Sequence, residues 1–525
     1  MRIRELIELL GEDVITSSGD IAFIPAGIAN DHRKSVQGAL FVCVKGFVAD
    51  GHDFAAAAIA NGASALISQK PFDDLGIPPA SRNKIHAFAQ VRDTRRALAA
   101  ASHLFYGEPT KKLLLTGITG TKGKTTIVYM IRAILQAAGF KPGMIGTVEN
   151  DIGGEINTSA ETTPGAVELA GYFSKMHDRG CGHAVMEVSS QGLALSRVDY
   201  CDFDIGVFTN FYNDHISPNE HASMEEYFAA KLKLFSMCKK VAVNADINEY
   251  GAVRDAFIRR AGGGAGEGAE AGAGAGAETF ISFSADEEGM NRDAANVRAS
   301  RIEPIRDADG NTRASMRFHV ETPWFSDTMT VGLPGRYNVS NALAAISVCG
   351  LLGVNQRAIS EGLRNIEVRG RTQAVNEGQD FSVLIDYAHN AASLETLLQT
   401  LREYNYKTIT TVFGCGGNRA RERRYDMGGV SGRYSDLTIV TSDNPRMEAP
   451  EAIMADIETG LRRTDGRYIM IEDRREAIGY AIKNASAGTL VLIAGKGHET
   501  TQTFADKIIP FDDAEVAREH LRVML

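Results

Sequence analysis

An excess of basic residues is the first thing this sequence lacks. Among its 525 residues, 56 are Lys or Arg and 66 are Asp or Glu, a formal net charge of −10. That balance argues against general nucleic-acid binding. It leaves room for an anionic small molecule held by local arginines. Cysteine is also sparse. Cys43, Cys181, Cys201, Cys238, Cys349 and Cys415 lie far apart, with no CxxC pair. This spacing speaks against a zinc site or a disulfide frame and for reduced thiols in a cytoplasmic protein. Long apolar runs are missing too. The longest, "ALAAISVCGLLGV" at 342–354, is too short to span a bilayer. "MRIRELIELLGEDV" at the start is amphipathic and interrupted by charge, unlike a secretory signal.

What is present is an ordinary globular composition, 44% apolar and 23% charged, at a length that suggests about three domains. Residues 1–108 read as a first unit. "GALFVCVKG" (38–46) predicts a strand, and "DFAAAAIANGASALISQ" (53–69) predicts a helix and then a strand. A second unit, 109–335, begins with "KKLLL" (111–115) as a buried strand. Its further apolar runs are "HAVMEVSS", "DIGVFTN" and "KKVAVNAD", with helical stretches between them. Alternation of this kind predicts an α/β fold with a parallel sheet. "AGGGAGEGAEAGAGAGAE" (261–278) interrupts the unit with no apolar face to bury, and predicts a surface loop. A third unit, 336–525, has five apolar runs ending in "DYAHN", "GCGGNR", "SDNPR", "EDRR" and "GKGHE". Ligands of open parallel sheets bind outside the carboxyl ends of the strands, so these ends form a candidate ligand surface.

The chemistry starts at "GITGTKGKTT" (117–126). Five residues separate Gly117 from Gly123, one more than in the usual phosphate loop. The setting is still strand, Gly-rich turn and helix start, which aims backbone N–H groups and a helix N-terminus at phosphate. Lys124 would supply a cation to the terminal phosphates, and Thr125 a hydroxyl to Mg²⁺. A second signal lies in "SMEEYFAAKLKLFSM" (223–237). At about 100° per residue, Met224, Tyr227, Phe228, Leu234 and Phe235 share one helix face. Lys231 falls inside that stripe, whereas Lys233 points away. A lysine there must be paired, neutralised or snorkelling. Glu187 ends a strand, and Asp214, His215 and His221 lie in "TNFYNDHISPNEH". A carboxylate, a histidine and a loop threonine at neighbouring strand ends would suit Mg²⁺ beside nucleotide phosphates.

"GITGTKGKTT", "ETTP", "MEVSS", "TNFYNDHISPNEH", "AAK", "LPGRYNVSNALAA", "GRT" and "DYAHN" follow one another in an order that resembles the Mur ligases. That family joins amino acids to UDP-muramoyl peptides with ATP, and its phosphate loop carries the shifted glycine. The resemblance covers nearly the whole chain. It implies three domains: an N-terminal UDP-substrate domain, a central P-loop ATPase-like sheet and a C-terminal Rossmann-like domain that takes the amino acid. ATP would meet Gly120, Thr121, Gly123, Lys124, Thr125, Thr126, Asn338, Asn341, Arg371 and Asp386. Thr125, Glu187, His215 and a carbamylated Lys231 would hold Mg²⁺, with Lys124, Lys231 and Arg371 as the catalytic set. Thr162, Thr163, Ser189 and Arg197 would meet the UDP-muramoyl peptide. "GCGGNR", "DNPR" and "GKGHE" imply 2,6-diaminopimelate as the amino acid, held by Arg419, Asp443, Asn444, Arg446, Gly495 and Glu499.

The activity implied is an ATP-dependent amide ligase of peptidoglycan precursor synthesis, acting as a cytoplasmic monomer on small molecules, with no nucleic-acid or membrane partner. Some positions depart from the family pattern. His32 stands where the family has a serine at the uracil end. Gln191 replaces a common histidine, "DYAHNAAS" lacks Thr-Pro-Asp, and "NRARERR" differs from the usual acidic-arginine-acidic run. Two other readings stay open at this point: a related ligase with another acceptor such as lysine, and a non-catalytic ATP-binding scaffold.

Overall fold

Short runs rich in Val, Ile and Leu become parallel strands buried on both faces, as such composition requires. The computed structural model describes residues 1–213, 216–217, 220–261, 280–306 and 314–524. Asp214, His215 and the Gly- and Ala-rich insertion from 262 onward lie outside the described residues. The fold is α/β, and the chain packs as two units. One comprises Met1–Val297 with Ala344–Ile359, and the other Arg298–Leu343 with Ser360–Leu525.

In the first unit, a five-stranded sheet runs in the order Val14–Gly19, Ala87–Val91, Ala63–Ser68, Ala39–Val42, Gly27–Ala29. Only the Val14–Gly19 edge is antiparallel. The same unit holds six parallel strands in the order Phe280–Ser284, Cys238–Asn244, Phe203–Phe208, Leu114–Thr119, His183–Glu187, Pro142–Ile145. Leu114–Thr119 and His183–Glu187 are therefore neighbours, and their carboxyl ends present the phosphate loop and Glu187 side by side.

Two expectations shift. "KKLLL" is not all strand. Lys111 and Lys112 close a 3₁₀ turn, Pro109–Lys112, and the strand begins at Leu114, where pairing with His183 starts. Both lysines are exposed, which a buried strand would not permit. The helix expected over 223–237 runs from Met224 to Leu232 and then tightens into a 3₁₀ turn at Lys233–Ser236. Its start is fixed by Ser223, whose Oγ accepts from Glu226 N at 3.2 Å.

In the second unit, five parallel strands follow the order Ser382–Asp386, Thr489–Ala494, Thr408–Phe413, Leu437–Val440, Tyr468–Met470. The last strand in sequence sits between the first two, which makes a switch point where ligands of such sheets bind. A buried pair fixes the strand ends there. Arg474 Nε and Nη2 each donate at 2.7 Å to Asp513, and Nη2 also donates to Ala494 O at 3.0 Å. Among the described residues no helix is long and apolar enough to cross a membrane.

Candidate functional site

The glycine that seems out of step is a strand residue. Gly117 lies within Leu114–Thr119, and a Cβ there would lie 2.6 Å from the Phe203 ring. It lets two strands pack, and the glycine-rich loop proposed to hold phosphate begins at Gly120. Gly120 has φ 148° and Gly123 φ 86°, values that favour glycine. Gly123 caps the Lys124–Ala137 helix, so the helix N-terminus opens on the loop. The loop is held from behind by Thr209 and Asn210. Lys122 N donates to Asn210 Oδ1 at 2.8 Å, and Thr209 Oγ1 donates to Lys122 O at 2.9 Å. Thr121 Oγ1 accepts from Tyr212 N at 3.0 Å and lies 3.1 Å from Tyr227 OH.

Lys231 is 1% exposed, so it does not snorkel. Its Nζ donates to Gly120 O at 2.9 Å and sits 4.4 Å above the Tyr227 ring. Lys124 Nζ donates to the same Gly120 oxygen, also at 2.9 Å, and to Thr121 O at 3.1 Å. Two lysines thus meet on one carbonyl of the phosphate loop. Glu187, 1% exposed, accepts Thr125 Oγ1 on Oε1 at 2.9 Å. Thr147 N donates to the same oxygen at 2.7 Å, and Thr147 Oγ1 to Oε2 at 3.1 Å.

Lys124 and Lys231 line a cavity of about 330 Å³ together with Thr147, Thr162, Thr163, Ser189 and Arg197. Thr163 Oγ1 donates to Glu187 O and accepts from Ser189 N, both at 3.0 Å. Arg197 reaches Thr163 O at 2.7 Å and pairs with Glu161. His221 also lines the cavity and lies 2.9 Å from Ser190 Oγ. Thr126 follows on the helix's first turn. His32 stacks on Phe54 with centroids 4.7 Å apart.

Gly146 shows how closely Glu187 is seated. A Cβ there would lie 2.5 Å from Glu187 Oε1. The oxygen displaced is buried and takes hydrogen bonds from Thr125 and Thr147, so Gly146→Ala should lower the melting temperature. It should lower kcat by at least about tenfold, because a misplaced carboxylate loses its alignment with the phosphate loop. Parallel melting and kinetic measurements test this: wild-type kcat would contradict the placement.

The remaining candidates lie in the second unit. Asn338 Nδ2 donates to Pro334 O at 2.7 Å, and Asn341 Nδ2 to Asn338 Oδ1 at 3.0 Å. Asp386, at a strand end, accepts from Thr372 N at 2.7 Å and Ala388 N at 2.8 Å. Burial pushes its carboxyl up, with Arg371 pulling it back. Arg371 lies over the Tyr387 ring at 4.9 Å. His498 is nearby, and burial, then Arg371, hold its imidazole down at about 4, so it is neutral at neutral pH.

The "SDNPR" and "GKGHE" ends interlock. A Cβ on Gly495 would lie 2.8 Å from Asp443 Oδ2. Burial pushes the Asp443 carboxyl up against the pull of Arg474 and Lys496. Asn444 Nδ2 donates to Glu499 Oε2 at 2.7 Å. Arg446 Nη1 donates to Gly417 O at 2.8 Å, tying "DNPR" to "GCGGN". Arg419, in that second loop, is exposed.

Sequence reasoning missed several supports. Lys496 is fully buried and bonds Thr501 O at 2.6 Å, Glu499 Oε2 at 3.1 Å and Asn444 Oδ1 at 3.3 Å. Arg424, 1% exposed, holds Glu448 at 2.7 Å, whose Oε1 accepts Asn418 N. Thr147 and Asn210 complete this set. Only Lys496 carried a signal, as a lysine between two glycines at the end of an apolar run.

The Mur ligase family catalytic domain matches residues 26–106, the Mur ligase middle domain 118–349, and the Mur ligase glutamate ligase domain 370–497. A protein of Caldanaerobacter subterraneus subsp. tengcongensis named UDP-N-acetylmuramoyl-L-alanyl-D-glutamate–2,6-diaminopimelate ligase is 40% identical over 497 residues, 94% of each chain. A Clostridioides difficile protein of that name is 37% identical over 525 residues, 100% of each chain. A solved structure of a ligase of that name superposes with a TM-score of 0.70 at 27% identity, covering 100% of this chain and 99% of the other.

Proposed function

The chain belongs to the Mur ligase family, and on that premise we propose that it is the ligase that adds meso-2,6-diaminopimelate to UDP-N-acetylmuramoyl-L-alanyl-D-glutamate. ATP drives the reaction, and ADP and phosphate are released. The observation that carries this reading is a likeness of 40% identity across 94% of both chains to a relative of that name. The work divides among an N-terminal UDP-substrate domain (1–108), a central ATP domain (109–335) and a C-terminal amino-acid domain (336–525).

The glutamyl carboxylate attacks the γ-phosphorus of ATP, the bond to ADP breaks, and an acyl phosphate forms. The amine of diaminopimelate then attacks the acyl carbon, loses a proton, and expels phosphate. Backbone N–H groups at Gly120–Thr126 and the helix N-terminus hold the ATP phosphates. Asn338 and Asn341 border the adenine, Asp386 meets the ribose, and Arg371 meets the γ-phosphate. Thr162, Thr163, Ser189 and Arg197 orient the muramoyl peptide, so that its carboxylate faces Lys124. Arg419, Asp443, Asn444, Arg446, Gly495 and Glu499 hold diaminopimelate.

A buried carboxylate beside a phosphate-loop hydroxyl is a hard-oxygen donor set, which fits Mg²⁺. Thr125 and Glu187 would hold it with His215, and Lys231 would serve a second ion once carbamylated. Bound there, Mg²⁺ would offset negative charge on the transferring phosphoryl group. Carbamylation takes one proton off the Lys231 ammonium, joins the free amine to CO₂ and releases a second proton. It replaces one of two cations on the Gly120 carbonyl with an anion, which removes a like-charge contact.

Phosphate release with the UDP-dipeptide, ATP and a panel of amino acids tests the proposal. Diaminopimelate should give the highest rate and a product heavier by one diaminopimelate residue. Equal rates with L-lysine would favour a different acceptor, and no amino-acid dependence would favour a scaffold. Lys124→Ala should lower kcat by about 10²-fold, the cost of removing one electrostatic group at a transferring centre. ATP affinity should fall less, since the backbone cradle remains. A kcat within about threefold of wild type would contradict the role given to Lys124.

A further inference from the structure

A short relay leads from Glu187 to the cavity wall. Thr147 Oγ1 lies 3.1 Å from Glu187 Oε2 and 3.0 Å from Thr162 Oγ1. Thr147 N and Thr125 Oγ1 also point at this carboxylate, both onto Oε1. A carboxylate offers acceptors only, so all three groups donate to it. The single hydroxyl proton of Thr147 is thereby committed to Glu187. Toward Thr162, Thr147 can only accept, and Thr162 must donate. The proton of Thr162 then faces Thr147, and its lone pairs remain for the cavity that both residues line.

We propose that Thr147 is a positioning residue that presets Thr162 as a hydrogen-bond acceptor, so that the part of the UDP-muramoyl dipeptide meeting Thr162 is an N–H or O–H donor. This rests on reading the cavity as the seat of the muramoyl peptide. The relay also sets direction. A ligand group that needed a donor at Thr162 could gain one only by breaking the bond to Thr147. The preference therefore selects against an acceptor such as a carboxylate oxygen at this point of the wall.

The test is calorimetric binding of UDP-N-acetylmuramoyl-L-alanyl-D-glutamate to the full chain without ATP or Mg²⁺. Thr147→Val keeps the shape and the backbone N–H to Glu187 but removes the relay. Its Kd should rise about tenfold, the scale of one oriented hydrogen bond. Thr147→Ser should return to within about twofold of wild type. Thr147→Val combined with Thr162→Val should bind no more weakly than Thr162→Val alone, because the two act through one bond. In turnover, KM for the UDP-dipeptide should rise while KM for diaminopimelate stays unchanged. Should Thr147→Val show no melting transition, Thr147→Ala carries the same expectations. Wild-type Kd in the valine variant, no rescue by serine, or additive losses in the double variant would each overturn the proposal. Failure of wild-type protein to bind or ligate the UDP-dipeptide would instead overturn the assigned function, and the inference with it.

Discussion

Lys231→Ala is expected to lower kcat by about 10³-fold, the upper range for removing one preorganised charge from a transferring centre. The lysine is 1% exposed and sits between the phosphate loop and an aromatic ring. A structural lysine buried so deeply would be costly, and an apolar residue would serve the stripe better. Its melting temperature should therefore change little, the more so because Lys124 still donates to the Gly120 carbonyl. If a carbamate is the working group, short carboxylic acids should restore part of the activity to Lys231→Ala, by placing an anion where the carbamate stood. CO₂-depleted buffer should slow the wild type and leave the variant unchanged. Steady-state phosphate release measures all three effects. An alanine variant with wild-type turnover would remove Lys231 from the mechanism.

Arg446→Ala is expected to cost about 2–5 kcal/mol in kcat/KM for diaminopimelate, the range for truncating one partner of a buried charge pair. Diaminopimelate differs from lysine by a carboxylate at its far end, and arginine can meet a carboxylate with two parallel hydrogen bonds. The backbone supports a functional placement. Arg446 has φ 54°, a left-handed conformation that a bulky residue adopts at a cost. The bond from its N to Thr503 O at 3.0 Å and the bond from Nη1 to Gly417 O at 2.8 Å hold it there. Arginine has five N–H donors. The Gly417 bond fixes the side chain's direction and leaves donors for a ligand. With lysine bound, the guanidinium would lack its anion, and that deficit gives the discrimination. Arg446→Lys keeps the charge but loses the fork, so it should recover only part of the loss. KM for ATP and for the UDP-dipeptide should stay near wild type. The specificity claim fails if wild type uses L-lysine as well as diaminopimelate, or if Arg446→Ala keeps its KM for diaminopimelate.

Much of this site could be read from the chain because its parts are local. A phosphate cradle is a strand end, a few glycines and a helix start, all within the ten residues of "GITGTKGKTT". The carboxyl ends of Ser382–Asp386, Leu437–Val440 and Thr489–Ala494 were legible for the same reason: each apolar run stops where its polar cluster begins. Lys231 stood out because helix faces follow from spacing alone.

Its partner did not, since Gly120 is 111 positions away and nothing in either segment names the other. The same holds for Thr147, whose hydroxyl meets Glu187 across 40 positions, and for Lys496, which meets Asn444 across 52. A threonine or lysine of this kind has no periodicity that marks it, because its role is set by which strands lie side by side. Even Gly117, prominent in the motif, turned out to be a packing residue against Phe203. The sequence by itself determined the α/β alternation, the glycine-rich strand-to-helix loop and the polar strand ends, since backbone conformation and solvation act over neighbouring residues. Only the tertiary structure decided which hydroxyl orients Glu187, which carbonyl Lys231 shares with Lys124, and which loop braces Arg446, since those choices follow from strand order in the sheet.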